Sequence, residues 1–128
     1  MFRDSKAFSG FAVKDLDAAK TFYADTLGLD ATVEEMGILS LRLGSGAQVM
    51  VYPKPDHVPA TYTILNFPVK DVDAAVDGLV AAGVRMQRYE GFEQDAKGIA
   101  RSDGNGPTIA WFTDPSGNIL AVLDDEPA

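Results

Sequence analysis

The chain contains no cysteine, one histidine and one tryptophan among 128 residues. The absence of cysteine excludes disulfides, thiolate metal sites and a cysteine nucleophile. Long apolar runs are missing too. None approaches the roughly 18 to 20 residues that a membrane helix needs, so no membrane partner is expected. The N-terminal stretch is polar and has no apolar h-region, which argues against a signal peptide. Positive charge is scarce: 11 Lys and Arg against 19 Asp and Glu leave a formal net charge of −8. That sign does not suit nucleic acid, whose phosphates select basic surfaces. It would suit a cationic ligand, and its simpler reading is the solubility of a cytoplasmic protein.

What the chain does have is an internal repeat. Phe11 opens the run Phe-Ala-Val-Lys-Asp-Leu-Asp-Ala-Ala-Lys-Thr, and Phe67 opens Phe-Pro-Val-Lys-Asp-Val-Asp-Ala-Ala-Val-Asp. Two copies of one unit therefore build the molecule. Each half is marginal as an independent domain. One domain over 1–128 is expected, made of modules at about 7–52 and 62–123 with a linker at 53–61.

Both copies share one order of elements. A strand at Phe8–Val13 leads to Asp15, a helix N-cap candidate, and Leu16, Ala19, Tyr23 and Leu27 recur at helical spacing before Gly28 stops the helix. Strands follow at Ala31–Glu35, Ile38–Leu43 and Ala47–Tyr52. The second copy repeats this with Tyr62–Val69, Asp71 as cap, a helix carrying Val72, Ala75, Val76 and Leu79, and Gly83 as stop. Its strands lie near Val84–Tyr89, Thr108–Thr113 and Asn118–Leu123, the last two joined by Asp114-Pro115-Ser116-Gly117. The order is βαβββ, twice, in an α+β fold. The linker from Pro53 to Pro59 is proline-rich and reads as extended. Gly91 to Gly106 is longer than a hairpin needs and suits a lid or a mobile excursion.

Strand alternation assigns faces. Phe11 and Val13, Leu39, Leu41 and Leu43, Val49 and Val51, Leu65, Phe67 and Val69, and Leu120 and Val122 form apolar sets that belong beneath the helices. The opposite faces carry Phe8, Gly10, Ser40, Arg42, Gln48, Met50, Tyr52, Tyr62, Ile64, Asn66, Trp111, Thr113, Ile119, Ala121 and Leu123. That mixture of aromatic, small and polar groups resembles the lining of a small-molecule cavity.

Paired βαβββ units with Val-Lys-Asp-Leu-Asp-Ala-Ala-Lys-Thr-Phe-Tyr from Val13, and Trp-Phe-Thr-Asp-Pro-Ser-Gly-Asn-Ile-Leu from Trp111, resemble the vicinal oxygen chelate superfamily. That superfamily includes glyoxalase I, extradiol dioxygenases, fosfomycin-resistance enzymes and bleomycin-resistance binding proteins. The resemblance runs from about Ala7 to Leu123. It implies paired, ferredoxin-like-related βαβββ modules whose curved mixed sheet encloses a cavity, and commonly a homodimer; a fold alone names no reaction. In the enzymatic members, His or Glu residues from the first and last strands of each module hold a divalent ion. Carried over, those positions fall on Phe8, Ile64, Met50 and Ala121. None is an oxygen or nitrogen donor, and a lone thioether is a soft ligand. The lone histidine, His57, sits in the linker. The resemblance therefore implies a member with no metal and no cofactor.

Two classes of function follow. In the first, the cavity binds a hydrophobic or amphipathic compound: Phe8, Tyr52, Tyr62 and Trp111 supply stacking surface beside Met50, Ile64 and Ala121, and Ser40, Arg42, Gln48 and Asn66 orient the ligand. In the second, a metal-independent lyase or isomerase uses Tyr52, Tyr62, His57, Asp56 or Glu90 for proton transfer, with Arg42 or Arg101 facing a developing oxyanion. No spacing among these groups forces them together.

Overall fold

A computed structural model describes residues 1–104 and 106–125. It divides into two compact units, Met1–Val58 and Pro59–Ala128. In the first, β1 (Ser9–Val13), α1 (Leu16–Lys20), β2 (Asp30–Val33), β3 (Leu39–Arg42) and β4 (Gln48–Pro53) follow one another. The sheet order is β1-β4-β3-β2, with β1 parallel to β4 and the other pairs antiparallel. Asp15 starts α1 as expected: its carboxylate accepts from the N–H groups of Asp17 and Ala18 at 3.0 and 3.2 Å. Those donors would otherwise lack partners in the first turn.

The helix does not run unchanged to Leu27. From Thr21 to Thr26 it widens into a π-helical turn, closed by the Leu27 N–H on the Phe22 carbonyl at 2.9 Å. The consecutive Phe22 and Tyr23 are both buried there, ring centroids 5.1 Å apart, and Tyr23 also meets Phe11 at 5.8 Å. Val13, Leu39, Leu41, Val49 and Val51 complete this core.

The second unit has β5 (Thr63–Val69), α2 (Val72–Ala81), β6 (Met86–Gln87), β7 (Ile109–Thr113) and β8 (Ile119–Asp124). Its order, β5-β8-β7-β6 with β5 parallel to β8, repeats the first. Asp71 caps α2 by accepting from the Ala74 N–H at 3.0 Å. Val72, Val76 and Leu79 are buried on the helix, and Ala110, Phe112, Leu120 and Val122 on the sheet. The strand expected over Val84–Tyr89 shrinks to two residues, because the chain beyond Gln87 folds on itself. A bulge between Thr63 and Leu65 sets Ile64 out of the ladder.

The repetition extends to register. Gly10 and Ser40 flank Met50 in the first sheet, and Asn66 and Trp111 flank Ala121 in the second. These are the two βαβββ modules of an α+β fold, and neither sheet is closed.

The turn between β7 and β8 is built by the Asp-Pro-Ser-Gly-Asn segment itself. Asp114 and Asn118 are buried. The Asp114 carboxylate accepts from the N–H groups of Ser116 and Asn118 at 2.9 and 3.0 Å and from Asn118 Nδ2 at 2.9 Å. Gly117 takes φ +88°, which L-residues rarely adopt.

Candidate functional site

On β4, Gln48, Met50 and Tyr52 alternate with the buried Val49 and Val51 and so share the face that the core leaves free. Met50 stands between Gly10 and Ser40, Gln48 opposite Arg42, and Tyr52 opposite Ala12. Gln48 Nε2 donates to the buried Ser40 Oγ at 2.7 Å. Arg42 lies 3.8 Å from Asp30, both exposed. Phe8 precedes β1 and is exposed, as the strand begins one residue later than expected. His57 closes a turn through its N–H on the Lys54 carbonyl at 3.0 Å and is half-buried. Asp56 pairs with Lys54, whose hydrogen bond holds the carboxyl below its usual range.

In the second unit the corresponding row runs Asn66, Ala121, Trp111, Gln87 across the four strands. Tyr62 precedes β5 and is exposed. Trp111, expected on the cavity wall, is only 7% exposed. Tyr89 stands edge-on to its ring with centroids 5.7 Å apart, and Phe92 leans on it at 4.8 Å and 51°. Burial pushes the Tyr89 hydroxyl pKa up. Beside this cluster lies a hollow of about 710 Å³, edged by Phe92, Arg101, Ser102, Ile109 and Trp111.

The chain that brings Tyr89 and Phe92 here is the irregular stretch following β6. Asn105, within the span expected to be irregular, lies outside the described residues. The part up to Arg101 is ordered by its own side chains. Gln94 Nε2 donates to the carbonyls of Gln87 and Gly98 at 3.0 and 2.7 Å, and its Oε1 accepts from the Tyr89 N–H at 2.9 Å. Arg88 donates to the carbonyls of Asp95 and Ala96. Asp95 accepts from the N–H groups of Lys97 and Ile99, both at 2.9 Å, as Asp114 does in its own turn. Ile99 is fully buried.

This excursion is also tied to α2. Arg101 holds Asp73 through two parallel bonds, Nη1 to Oδ2 at 2.6 Å and Nη2 to Oδ1 at 2.9 Å, and bonds Asp95 Oδ2 at 2.7 Å. Lys97 Nζ reaches Asp73 at 3.1 Å and Asp77 at 2.8 Å. The Arg101 guanidinium, then Lys97, hold the Asp73 carboxyl well below the usual carboxylate range. Asp77 and Asp73 raise the Lys97 ammonium. Arg101 is thus committed to two carboxylates, which removes it as a free oxyanion partner.

Sequence reasoning found Trp111 and missed its aromatic neighbours. The available signal was the Asp-x-x-Gly pattern at Asp95 to Gly98, which repeats Asp114 to Gly117 and marks an ordered turn inside the irregular stretch.

The model of the glyoxalase/bleomycin resistance protein/dioxygenase superfamily matches residues 8–122. The chain belongs to that superfamily. No curated protein matches it. Solved structures that share the fold include three of known source. An integron cassette protein from the mobile metagenome of V. cholerae is 22% identical, with 93% of each chain covered and a TM-score of 0.64. A glyoxalase family protein from Enterococcus faecalis is 19% identical, covering 96% of this chain and 98% of its own, with a TM-score of 0.66. The fosfomycin resistance protein FosX from Listeria monocytogenes is 16% identical, covering 94% and 92%, with a TM-score of 0.71.

Enzymes of the superfamily hold a divalent ion on the helix-free face, and the rows described above do not fit one. Gly10, Met50 and Ser40 in one unit, and Asn66, Ala121 and Trp111 in the other, offer neither carboxylate nor imidazole, and Ser40 Oγ already accepts from Gln48. Among the described residues, no three His, Cys, Asp or Glu side chains are grouped to hold a metal. Among them, too, no helix is long and apolar enough to cross a membrane.

Proposed function

We propose that this superfamily member is a metal-free small-molecule-binding protein that takes a hydrophobic or amphipathic ligand on the concave, helix-free sheet face around Trp111. One observation carries the reading: the sole tryptophan stands between Tyr89 and Phe92 at the edge of a hollow of about 710 Å³. Small-molecule sites run to roughly 300–1,000 Å³, and this hollow sets the apolar Phe92, Ile109 and Trp111 beside charged Glu93, Arg101 and Asp103, which suits an amphipathic ligand. Asn66, two strands from Trp111, would orient a ligand. Arg42, Gln48, Met50 and Tyr52 would do the corresponding work in the other unit, with Phe8, Tyr62 and Ile64 at strand starts. The reading includes a cytoplasmic location, a homodimer and no cofactor. A metal-independent lyase or isomerase finds less support, since Arg101 and Asp56 are already paired.

The test is titration with Nile red, a neutral apolar dye, followed by dye emission and by Trp111 fluorescence. Saturable binding is expected, weakened about tenfold in Trp111→Ala, with Trp111→Phe keeping most of the affinity. Unchanged affinity in a folded Trp111→Ala protein would refute the assignment.

A further inference from the structure

The Trp111 cluster lies on one side of the β7 strand and the charged contacts of α2 on the other, yet one excursion reaches both. Phe92 and Tyr89 belong to the same ordered piece as Asp95, Lys97 and Arg101. The piece is braced internally by Gln94 and Arg88. Its bonds to other elements run from Gln94 to the Gln87 carbonyl of β6, from Ala100 to Ile109 of β7 through a two-bond backbone bridge, and from Lys97 and Arg101 to Asp73 and Asp77 of α2. β6, beside which it leaves the sheet, is only two residues long and offers little ladder to hold it. Phe92 follows Gly91, whose φ of +90° is open to glycine, and its ring is half-exposed and tilted on Trp111. The bridge at Ala100 pins the far end, so opening the ionic tether loosens the end that carries Tyr89 and Phe92.

We propose that Asp73 with Arg101, backed by Lys97 and Asp95, is an ionic latch that holds Phe92 and Tyr89 over Trp111 and thereby governs entry to the ligand face. The inference rests on the reading of the Trp111 face as the ligand surface. Asp73 and Arg101 are positioning residues here, acting through the excursion. Arg101 forks onto both Asp73 oxygens, a geometry that favours one defined placement over a loose ion cloud. The groups are half-exposed, so salt screens them. The latch therefore answers to ionic strength, as a purely packed lid would not.

Trp111 is the only tryptophan, so acrylamide quenching of its fluorescence reports the lid without any ligand. In Asp73→Asn the quenching constant should rise about twofold, and Asp73→Glu should restore most of the protection. In the unmodified protein, raising salt from about 0.05 to 1 M should produce at least the same rise, and in Asp73→Asn, where Lys97 still holds Asp77, salt should produce a smaller one. Nile red should leave Asp73→Asn faster by a similar factor. Quenching that ignores both the substitution and the salt series overturns the latch. Should Asp73→Asn fail to fold, the salt series on the unmodified protein decides alone. Quenching that moves as stated while Nile red binds no form keeps the latch and refutes the ligand reading.

Discussion

Asp114→Ala removes at least three hydrogen bonds whose fates differ, so its cost can be worked from the structure. Asp114 is 4% exposed and serves the Ser116 N–H, the Asn118 N–H and Asn118 Nδ2. Ser116 is half-buried, and water can take over its donor. Asn118 is 3% exposed, so the two donors that Asp114 serves lose that acceptor where water does not replace it. A buried donor left without a partner costs about 1–3 kcal/mol, which puts the total at about 3 kcal/mol. At about 3 °C per kcal/mol for a chain of this size, Tm should fall by about 10 °C. Urea denaturation followed by circular dichroism reads this as a lower midpoint at constant slope. Asp114→Asn alone turns an amide toward the Asn118 amide, donor against donor. Adding Asn118→Asp reverses both roles and should recover most of the loss. A cost below about 1 kcal/mol for Asp114→Ala, or a double variant no better than Asp114→Asn, would refute the reasoning.

Gly46 and Gly117 have φ of +92° and +88°, but a Cβ at Gly46 meets open space whereas one at Gly117 comes 3.2 Å from Pro59 Cγ. Gly46→Ala should lose about 1 kcal/mol by denaturation and Gly117→Ala more, so equal losses would remove the Pro59 contact as a factor. Stability should fall in acid, because Asp73 and Asp95 are held below the usual value, Asp73 mainly by Arg101 and Asp95 mainly by the Ile99 N–H. Depressed carboxyls contribute fully above the unfolded value of 3.8 and lose that contribution as pH falls below it. Lys97 is raised, so its share is full below 10.5 and lost as pH rises beyond it. A pH series of thermal melts should be flat between about 5 and 10, with a shallower acid limb in Asp73→Asn.

The repeat at Phe11 and Phe67 was enough to set element order, caps and core faces, because each rests on local rules. Asp15 and Asp71 cap helices by bonds three residues long, and period two in β3, β4, β7 and β8 places Leu39, Val49, Phe112 and Leu120 in the core. The π-helical turn at Thr21 was not legible. Its spacing matches an ordinary helix, and the widening accompanies the burial of both Phe22 and Tyr23. The candidate site was half legible. Period two put Trp111, Ala121 and Asn66 on one face, and the register then set them in a single row. No pattern shorter than the excursion itself could foretell that Gln94 would fold it back to lay Phe92 on Trp111, because the three bonds of Gln94 are made to backbone groups, which every residue carries.

The two modules also supply a comparison within the chain. Positions beneath the helices stay apolar between the copies: Phe11 and Phe67, Val13 and Val69, Leu41 and Phe112, Val49 and Leu120, Val51 and Val122. Positions on the helix-free face change chemistry: Gly10 and Asn66, Ser40 and Trp111, Arg42 and Thr113, Gln48 and Ile119. Packing alone asks of both faces only that they avoid voids and unpaired polar groups. The signature around Asp114 holds a turn, as Asp95 does without any part in the resemblance, so it specifies the fold and leaves the reaction open. The diverged row, with the excursion that covers Trp111, is the face on which the proposed ligand surface lies.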